Sequence, residues 1–540
     1  MSGGGLTVGE LLPRLLESYG VDTVFGIPGV HNVELYRGLP ATGIRHVTPR
    51  HEQGAGFMAD GYARVTGKPG VCFTITGPGL TNILTAMGQA YADSVPMLVI
   101  SSVNRTEHLG AGQGRLHELP SQRAMAAGVA AFSQTILHPG QLAEALARAF
   151  ALFASARPRP VHLEIPVDVI AQPAGDPAAD GLLGAAWPLP GRPAPDPVAV
   201  ARAAALLRAA RSPLMVLGGG AVEAGDVAMA LAERLGLPVI NTINAKGLIP
   251  RGHPLAAGEN MAAEPLRHAL RDADVVLAVG TEFGETEHYP GPTPLAINGA
   301  LIRIDLDPEQ LVRQFRAAVP MVADARLALS ALLAAVESGG ASDGAGRAAE
   351  LRVRMDAQQP AWIAPHRRLM DAIDAVLPGA IIVGDSTQPV YASNLFFRPE
   401  AARSFFNAST GYGTLGYGLP AAIGAKIAAP ARPVVALVGD GGALFTLTEL
   451  AAAVEARAPV VVILWNNGGY GEIRGYMVDR GIEPIGVDLV VPNFTTLAHG
   501  FGCAGRRVTG ATDLRAALRE AAGRDVPTVL EIDEHAGFGE

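Results

Sequence analysis

Short runs of consecutive apolar residues alternate along this chain with stretches in which apolar residues recur at helical spacing. One run, residues 434–438, is followed by an amphipathic stretch at residues 446–457 and by a second apolar run at residues 460–465. Such runs are typical of strands buried on both faces, and the stretch between them is typical of a crossover helix. Because right-handed crossovers return the chain to the same side, we expect both strands to end at one carboxyl edge of a parallel sheet.

The same alternation occurs in three segments of the chain. Further apolar runs predict strands at residues 71–75, 97–100, 214–217, 275–279 and 381–383. Two stretches rich in small residues and in Pro or Ser, residues 171–197 and 337–347, separate the segments, and we interpret them as linkers. We therefore predict an α/β protein with three doubly wound parallel-sheet domains, at residues 1–170, 197–336 and 355–540.

Composition narrows the class of protein. The chain has 540 residues, of which 49% are hydrophobic and only 17% charged, so much of its surface is expected to be buried between domains or subunits. The net charge is −9 and there is no basic run, which argues against nucleic acid as a partner. No apolar run approaches 18 residues, so we expect neither a signal peptide nor a membrane span. Two cysteines, Cys72 and Cys503, imply no disulfide framework and favour a cytoplasmic location.

Polar groups follow the two strands predicted at residues 434–438 and 460–465. Gly439-Asp440-Gly441 ends the first strand and Asn466-Asn467 ends the second. Asp440 offers a carboxylate oxygen and Asn467 an amide oxygen, the ligand types that Mg²⁺ prefers, and Mg²⁺ commonly binds substrate phosphates as well. The glycines let the backbone approach phosphate groups at a helix N-terminus. The alternative is a pair of glycine-rich turns in a Rossmann-like domain without a nucleotide.

These two strand ends resemble the thiamine diphosphate (ThDP) motif of the family that includes acetolactate synthases, benzoylformate decarboxylases and pyruvate decarboxylases. The likeness covers nearly the whole chain, because that family has pyrimidine-binding, central and diphosphate-binding domains in this order. The resemblance implies two cofactors, ThDP and Mg²⁺. It implies that Asp440, Asn467 and the Gly469 carbonyl hold the metal. It also implies that the diphosphate half of ThDP lies against Gly441, Gly442, Ala443 and Tyr470.

The first domain carries a matching segment. Residues 50–64 look like the family's RHEQxAxxMAxGYAR segment and contain Glu52. The resemblance implies a catalytic role for Glu52: its carboxyl group hydrogen-bonds the aminopyrimidine ring and helps to remove the C2 proton of the thiazolium. By itself Glu52 would also suit an acid at a helix N-terminus.

Other cofactor contacts follow from looser matches. Residues 76–82 resemble a family turn that packs against the pyrimidine ring, and residues 411–420 resemble a stretch whose carbonyl accepts from the 4′-amino group. Residues 385–388 lie where relatives bind the diphosphate. These matches assign Pro78, Asn82, Gly413, Leu415, Thr387 and Gln388 to the cofactor. A phosphate-free turn and plain core packing are the alternatives for the first two segments.

The resemblance also implies an assembly. In this family the Glu52 half and the Asp440 half of one site come from different subunits. We therefore expect a homodimer at minimum, and a homotetramer as the complete assembly.

The substrate is indicated by positions where the chain departs from the synthases. Glu472 stands where a synthase methionine shapes a pocket for small aliphatic groups, and Glu282 stands where synthases have a carboxylate-binding Arg. Burying an unpaired carboxylate against an aliphatic chain is costly, whereas a guanidinium is its natural bidentate partner. We therefore predict that Glu472, with Glu282 as a second candidate, favours a cationic substrate tail. Solvent-exposed loop acids are the alternative, also for Glu285 and Glu287.

A histidine is the third catalytic candidate. His117 lies in the loop at residues 114–120, where pyruvate decarboxylases carry paired histidines, and we expect it to act as an acid–base group together with Glu118. A solvent-exposed loop histidine is the alternative.

Residues 26–40 and 114–123 are most similar to 5-guanidino-2-oxopentanoate (2-ketoarginine) decarboxylases within the family. The predicted activity is therefore a non-oxidative decarboxylation of that small 2-oxo acid to 4-guanidinobutanal and CO₂. The alternatives are a carboligase of the acetolactate synthase type and a non-catalytic ThDP-binding regulatory relative. Gly218-Gly219-Gly220 could indicate a nucleotide site such as FAD occupies in some relatives, and we expect an empty or vestigial site there.

Overall fold

We analysed a computed structural model, which describes residues 5–175, 186–287, 294–336 and 343–534. Those residues form three parallel six-stranded sheets, each covered by helices. The predicted α/β class with three doubly wound sheets is therefore confirmed. The exact domain limits at residues 1–170, 197–336 and 355–540 stay predictions.

The first sheet has the strand order β2-β1-β3-β4-β6-β5. Its strands are β1 Thr23–Gly26, β2 Arg45–Val47, β3 Gly70–Thr74, β4 Met97–Val103, β5 Phe132–Thr135 and β6 Val161–Pro166. Its helices are α1 Val8–Ser18, α2 Val33–Tyr36, α3 Glu52–Thr66, α4 Pro78–Ala92, α5 Gln122–Ala127, α6 Gln141–Ser155 and α7 Val167–Ile170. The loops after β1, β3 and β4 all leave the carboxyl edge of this sheet, so they lie side by side.

The second sheet has the order β12-β11-β10-β7-β8-β9, which is the Rossmann order. Its strands are β7 Leu214–Leu217, β8 Val239–Asn241, β9 Ala256–Gly258, β10 Val275–Val279, β11 Ala300–Asp305 and β12 Val319–Val322. Its helices are α8 Pro197–Ala209, α9 Gly225–Leu235, α10 Glu264–Asp272, α11 Ala325–Ala335 and α12 Gly344–Ala357. Helix α12 begins inside the predicted linker at residues 337–347 and packs Ala348 and Leu351 into the core of this sheet. Residues 337–342, like 176–185 of the other linker, lie outside the described residues.

The third sheet, β14-β13-β15-β16-β18-β17, repeats the strand order of the first. Its strands are β13 Ile381–Gly384, β14 Phe405–Asn407, β15 Val434–Gly439, β16 Val461–Asn466, β17 Ala504–Val508 and β18 Thr528–Asp533. Its helices are α13 Ala364–Val376, α14 Gln388–Phe396, α15 Gly418–Ala428, α16 Asp440–Ala443, α17 Glu449–Glu455, α18 Gly471–Asp479, α19 Phe494–Gly500 and α20 Ala511–Ala522. Short 3₁₀ helices lie at Leu39–Ala41, Thr106–His108, Gly219–Ala224, Ile243–Ala245, Glu285–Glu287, Gln310–Val312, Ala361–Ile363 and Ala408–Thr410.

The first and third sheets share one hydrophobic core, because α3 packs directly on α15. Glycines make this approach close: a Cβ on Gly61 would lie 2.0 Å from the carbonyl oxygen of Ala421. A hydrogen bond crosses the same boundary, since Tyr417 Oη donates to Asp60, which also pairs with Arg64 within α3. This packing fixes the first sheet relative to the third.

Among the helices that the structure describes, none has the length and apolar character needed to cross a lipid bilayer. Cys72 and Cys503 are both buried and unpaired.

Candidate active site

The polar ends of strands β15 and β16 lie together. Strands β15 and β16 are parallel neighbours, with Gly439 paired to Trp465. Asp440 is only 2% exposed, and its Oδ1 accepts from the backbone N–H of Asn467 at 3.4 Å. The side-chain amide of Asn467 faces both Asp440 Oδ1, at 3.2 Å, and the Gly469 carbonyl oxygen, at 3.0 Å. The structure therefore brings together all three predicted metal ligands.

This group has the character of a cation site. With its amide oxygen turned inward, Asn467 completes a set of three converging oxygen atoms that suits a cation, and with the amide turned over its nitrogen donates to the other two oxygens. Asp440 Oδ2 is buried and has no hydrogen-bond partner among the described residues, and burial raises the pKa of this carboxyl. A divalent cation would offset both costs, so the residues present fit Mg²⁺. In the described part of the chain no cluster of three or more His, Cys, Asp or Glu side chains offers another metal site.

The predicted diphosphate contacts surround that group. Gly441, Gly442 and Ala443 are buried in α16. The Tyr470 ring covers Gly441, because a Cβ there would lie 2.8 Å from the ring. Thr387 is the buried N-cap residue of α14. It lies close to Gly439, because a Cβ on Gly439 would lie 3.0 Å from Thr387 Oγ1.

Asp385 is a residue of this half that the sequence argument quoted but did not assign. It is 1% exposed and accepts from the backbone N–H groups of Ser386, at 2.8 Å, and Gly418, at 3.1 Å. Burial raises its pKa to about 6. Asp385 thereby ties the turn that carries Thr387 to the start of α15, just after the loop with Gly413 and Leu415. Gly413 has a φ of +74° and open space on its Cβ side, and Leu415 is half-buried.

The first domain presents Glu52 from the start of α3. Glu52 is 8% exposed, and its Oε2 accepts from Asn82 Nδ2 at 2.9 Å. Pro78 and Asn82 both lie in the first turns of α4, so the turn after β3 and the N-terminus of α3 meet at Glu52. A Cβ on Gly79 would lie 3.3 Å from Glu52 Oε1. The predicted Asn82 thus contacts the predicted catalytic acid directly.

His117 lies beside this turn, next to a second histidine that the sequence argument did not single out. The rings of His31 and His117 meet edge to face, with centroids 5.1 Å apart. A Cβ on Gly77 would lie 2.6 Å from the carbonyl oxygen of His117. Burial lowers the pKa of His31, and its Nδ1 has no hydrogen-bond partner among the described residues. Two loops from one sheet edge therefore assemble a histidine pair that sequence spacing does not reveal.

Two polar residues near this histidine pair, Glu118 and Gln122, are structural. Glu118 accepts from the backbone N–H groups of Gly112, at 2.7 Å, and Arg115, at 2.9 Å, which lower its pKa. It therefore holds its own loop, and the expected acid–base role for Glu118 is not favoured. Gln122 is buried and accepts from the backbone N–H of Gly77 at 2.8 Å, which fixes the turn beneath His117.

Glu472 and Gln388 meet at the edge of the third sheet. Glu472 is exposed in the first turn of α18, and its Oε2 accepts from Gln388 Nε2 at 2.7 Å. Burial raises the pKa of Tyr391 to about 12, and the nearby charge of Glu472 contributes to this rise. This contact joins two predicted residues, one assigned to the cofactor and one to catalysis.

The acids of the central domain lie elsewhere. Glu282 forms an ion pair with Arg157 and has Arg159 at 4.0 Å. Glu287 is buried against the backbone N–H of Ile243 at 3.0 Å, and Glu285 is exposed. Arg157 of the first domain thus already pairs with Glu282, which disfavours Glu282 as a second acid for a cationic tail, and that role stays a prediction.

The glycine-rich turn of the central domain also has a packing explanation. A Cβ on Gly218 would lie 2.1 Å from the Gly280 carbonyl oxygen, and a Cβ on Gly220 would lie 2.8 Å from Gly280 Cα, whereas Gly219 faces Asn244. A cavity of about 350 Å³ adjoins these loops and is lined by residues of all three domains. Close packing thus explains Gly218 and Gly220, and the expectation of an empty or vestigial nucleotide site stays a prediction.

Comparison with known proteins agrees with this layout. Residues 6–125 match the model of the thiamine pyrophosphate enzyme N-terminal TPP binding domain, residues 200–332 its central domain, and residues 385–532 its C-terminal TPP binding domain. The three matched domains follow one another along the chain in the same order as the three sheets.

Individual relatives extend over nearly the whole chain. The "probable 2-ketoarginine decarboxylase AruI" of Pseudomonas aeruginosa is 50% identical over 98% of this chain and 94% of its own length. The acetolactate synthase large subunit of Corynebacterium glutamicum is 33% identical over 98% of this chain and 86% of its own. A "probable acetolactate synthase large subunit" of Methanocaldococcus jannaschii is 31% identical, covering 97% and 91%. The chain therefore belongs to the family of thiamine pyrophosphate (ThDP) enzymes.

Proposed function

We propose that this enzyme is a ThDP- and Mg²⁺-dependent 2-oxo acid decarboxylase that converts 5-guanidino-2-oxopentanoate to 4-guanidinobutanal and CO₂. The observation that carries the substrate assignment is the carboxylate of Glu472, presented at the edge of the metal-site half and oriented by Gln388. The identity of 50% to the probable 2-ketoarginine decarboxylase supports the same assignment.

The cofactors would be held mainly by the third domain. Asp440, Asn467 and the Gly469 carbonyl would bind Mg²⁺, and the buried glycines of α16 leave room for a diphosphate beside it. When bound, ThDP supplies a carbon nucleophile for the keto carbon of the substrate and an electron sink for the loss of CO₂. The exposed carbonyl of Gly413 and the half-buried Leu415 are available to the rest of the cofactor.

Glu52 would exchange a proton with the aminopyrimidine ring. The Glu52 side chain is mostly buried. Asn82 donates to its Oε2, and Oε1 is not bonded to this amide. Such a group can hold a proton at a fixed position and pass it to a hydrogen-bonded nitrogen. Asn82 thus acts on the orientation of Glu52 as well as on the cofactor.

The histidine pair would handle the proton at the reacting carbon. His31 has a lowered pKa, so it is neutral at pH 7, and it lies against His117. His117 is only partly buried, so its ring can reach both the site and solvent. Protonation of the substrate carbon after CO₂ leaves leads to release of the aldehyde. Without that protonation, the same carbon could instead bond to a second 2-oxo acid, as in a carboligase.

Glu472 would bind the guanidinium tail. A guanidinium presents two parallel N–H donors that match a carboxylate, and such charge-assisted pairs are stronger than neutral hydrogen bonds. Because Gln388 holds one carboxylate oxygen from behind, Glu472 loses less conformational freedom when the tail binds.

The site is proposed to form between subunits of a cytoplasmic homodimer or homotetramer. Large apolar side chains are exposed around both half-sites. They are Val30 (71%), Leu116 (63%), Tyr412 (53%), Phe445 (53%) and Ile473 (50%). Their burial against a second copy would join the Glu52 half of one chain to the Asp440 half of the other.

A panel of 2-oxo acids tests the proposal. The purified protein is incubated with ThDP, Mg²⁺ and each acid, and CO₂, aldehyde and acetolactate are measured. The expected result is rapid release of CO₂ and aldehyde from the guanidino acid. Conversion of pyruvate to acetolactate without turnover of the guanidino acid would instead favour the carboligase, to which the synthase relatives point. No turnover of any 2-oxo acid would favour a non-catalytic ThDP-binding relative.

A further inference from the structure

A buried carboxylate of the third domain reaches into the first domain. Glu449 lies in the first turn of α17 and is 0% exposed. Its oxygens accept from the backbone N–H of Arg50 at 3.1 and 3.0 Å, and Oε1 also accepts from the backbone N–H of His51 at 3.0 Å. These donors belong to the two residues immediately before Glu52.

The chain leaves space for this carboxylate. A Cβ on Gly54 would lie 2.2 Å from Glu449 Oε1, so only glycine allows the contact. The side chain of Arg50 turns instead to the far end of the same helix, where it pairs with Glu455 and donates to the Ala451 carbonyl. Helix α17 therefore makes two separate contacts. Glu449 binds the backbone N–H groups of Arg50 and His51, and other groups of the helix bind the Arg50 side chain.

The held backbone determines where Glu52 points. His51 is the N-cap residue of α3, its Nδ1 accepts from the backbone N–H of Gln53 at 3.1 Å, and Glu52 is the first helical residue. Any rotation of the Arg50 and His51 amides would tilt the start of α3 and move the Glu52 carboxyl away from Asn82. Two charges face Glu449 from α3 and its N-terminal approach: Arg50 stabilises its ionised form and Glu52 opposes it, while burial raises the pKa to about 7.

We propose that Glu449 is a positioning residue for Glu52, acting across the boundary between the third and first domains. The proposal rests on the proposed role of Glu52 in the site. Glu449 lies on the chain segment that connects Asp440 to Asn467. The two ends of this segment carry the proposed metal ligands, and its middle carries Glu449, which contacts the backbone beside Glu52.

Amide hydrogen exchange of the cofactor-free protein tests the contact. Glu449→Gln keeps one acceptor oxygen but replaces the other with an amide nitrogen that cannot accept. We expect the Arg50 and His51 amides to exchange about tenfold faster or more, since their protection depends on this bond. The matched control is Glu455→Gln on the same helix, which removes only the side-chain partner of Arg50 and should leave these amides unchanged. Unchanged exchange in Glu449→Gln would overturn the contact.

A double-mutant cycle tests whether Glu449 acts through Glu52. The rate of C2 proton exchange on bound ThDP is measured in wild type, Glu449→Gln, Glu52→Gln and the double variant, without substrate. We expect Glu449→Gln to slow exchange about tenfold, because small displacements of a proton-transfer group are costly, and to add no slowing when Glu52 is already replaced. Additive effects would show a purely structural role and overturn the proposal.

A second variant covers the case in which Glu449→Gln does not fold. Gly54→Ala displaces the Glu449 carboxylate from the opposite side and should reproduce both results, and absence of both effects would overturn the proposal. Since neither measurement uses a 2-oxo acid, failure of the decarboxylase assay leaves the positioning role to be decided separately. Unchanged C2 exchange in Glu52→Gln would identify the premise about Glu52 as the part that failed.

Discussion

At the scale of single residues, the proposed substrate preference depends on Glu472. Its carboxylate is exposed and oriented by Gln388 at 2.7 Å. Glu472→Gln keeps the shape of the side chain but removes the charge that a guanidinium would pair with. Hydrogen bonds to charged groups contribute about 1.5–3 kcal/mol, so we expect kcat/KM for the guanidino acid to fall roughly 10- to 100-fold. The value for 2-oxopentanoate, which has no charged tail, should stay unchanged.

Asp479→Asn is the matched control for this prediction. Asp479 is an exposed acid at the other end of α18, so its replacement changes the net charge of the helix equally. It should leave both kcat/KM values as in wild type. An equal loss for both substrates in Glu472→Gln would contradict the prediction, because it would assign Glu472 to the common chemistry and not to the tail.

Single residues also show how far the sequence leads toward the site. Asp440 and Asn467 were predictable because each ends a strand and parallel neighbours share an edge, and the structure places them together. The neutralisation of Glu282 was not predictable, since its partner Arg157 comes from another domain. Glu449 is hidden for the same reason: its donors at residues 50 and 51 lie about 400 positions away and are backbone groups, which leave no mark in the side-chain pattern.

At the scale of elements, the apolar runs located the strands closely. Residues 434–438 and 460–465 became β15 and β16, and residues 275–279 are β10 with the same limits. Edge strands of three residues, such as β2 and β14, are too short to show a pattern. The duplicated strand order of the first and third sheets also left no repeat in the sequence, because strand order is a property of tertiary pairing.

The crossover between β15 and β16 departs from its predicted form. Residues 446–457 were expected to form one helix, but the helix there, α17, spans only Glu449–Glu455. Thr446 is buried and its Oγ1 donates to the Gly416 carbonyl oxygen at 2.7 Å, which draws this part of the crossover toward the loop before α15. A tertiary hydrogen bond thus delays the helix, and it places Glu449 in the first turn.

The close packing of α3 on α15 gives a stability prediction. Gly61→Ala adds a Cβ that would lie 2.0 Å from the Ala421 carbonyl oxygen, and backbone on both sides cannot easily move. Overpacking of this kind costs about 1–3 kcal/mol, so the urea midpoint of the cofactor-free protein, followed by circular dichroism, should fall.

Gly500→Ala is the control for that substitution. Gly500 ends α19, and a Cβ there would meet no atom within 4 Å. Alanine should stabilise this position slightly, by up to about 1 kcal/mol, through its effect on the unfolded chain. Equal midpoints for the two variants would show that α3 and α15 do not pack as closely as described.

At the scale of the whole molecule, buried charges join the central domain to the third. Lys246 is 2% exposed and its Nζ donates to the carbonyl oxygens of Ser393 and Phe397 at 2.9 and 2.8 Å. Glu287 lies near this lysine, and burial raises its pKa to about 7 from an ordinary value of 4.5. Between these two pH values the folded chain keeps a proton that the unfolded chain has lost. Glu287 therefore makes the free energy of unfolding fall as the pH rises through this window.

Glu287→Gln should remove that dependence. The difference in free energy of unfolding, variant minus wild type, is expected to increase between pH 4.5 and 7 and to stay constant above, as measured by urea denaturation of the cofactor-free protein at several pH values. Glu285→Gln, an exposed acid on the same 3₁₀ helix, should show no such increase. A constant difference for Glu287→Gln across the window would contradict the assignment of the proton to this residue.

The two halves of the proposed site lie in different domains of the chain. Glu52 bonds to Asn82 in the first domain and Asp440 to Asn467 in the third, and no hydrogen bond joins the two groups in the described residues. If each site combines the halves of two subunits, two different inactive variants can complement each other. A mixed dimer of Glu52→Gln and Asp440→Asn chains has one site with both substitutions and one with neither.

Mixing these two variants should therefore restore activity. After dissociation and reassociation of equal amounts, half of the dimers are mixed and each has one intact site, so about a quarter of wild-type activity is expected. The control is a mixture of Asp440→Asn with Asn467→Ala, which alter the same half; every site in its mixed dimers keeps one defect, so activity should stay low. Recovery in the first mixture and not in the second requires that each site draws its halves from two chains. No recovery in either, although the chains form mixed dimers, would mean that both halves of a site come from one chain.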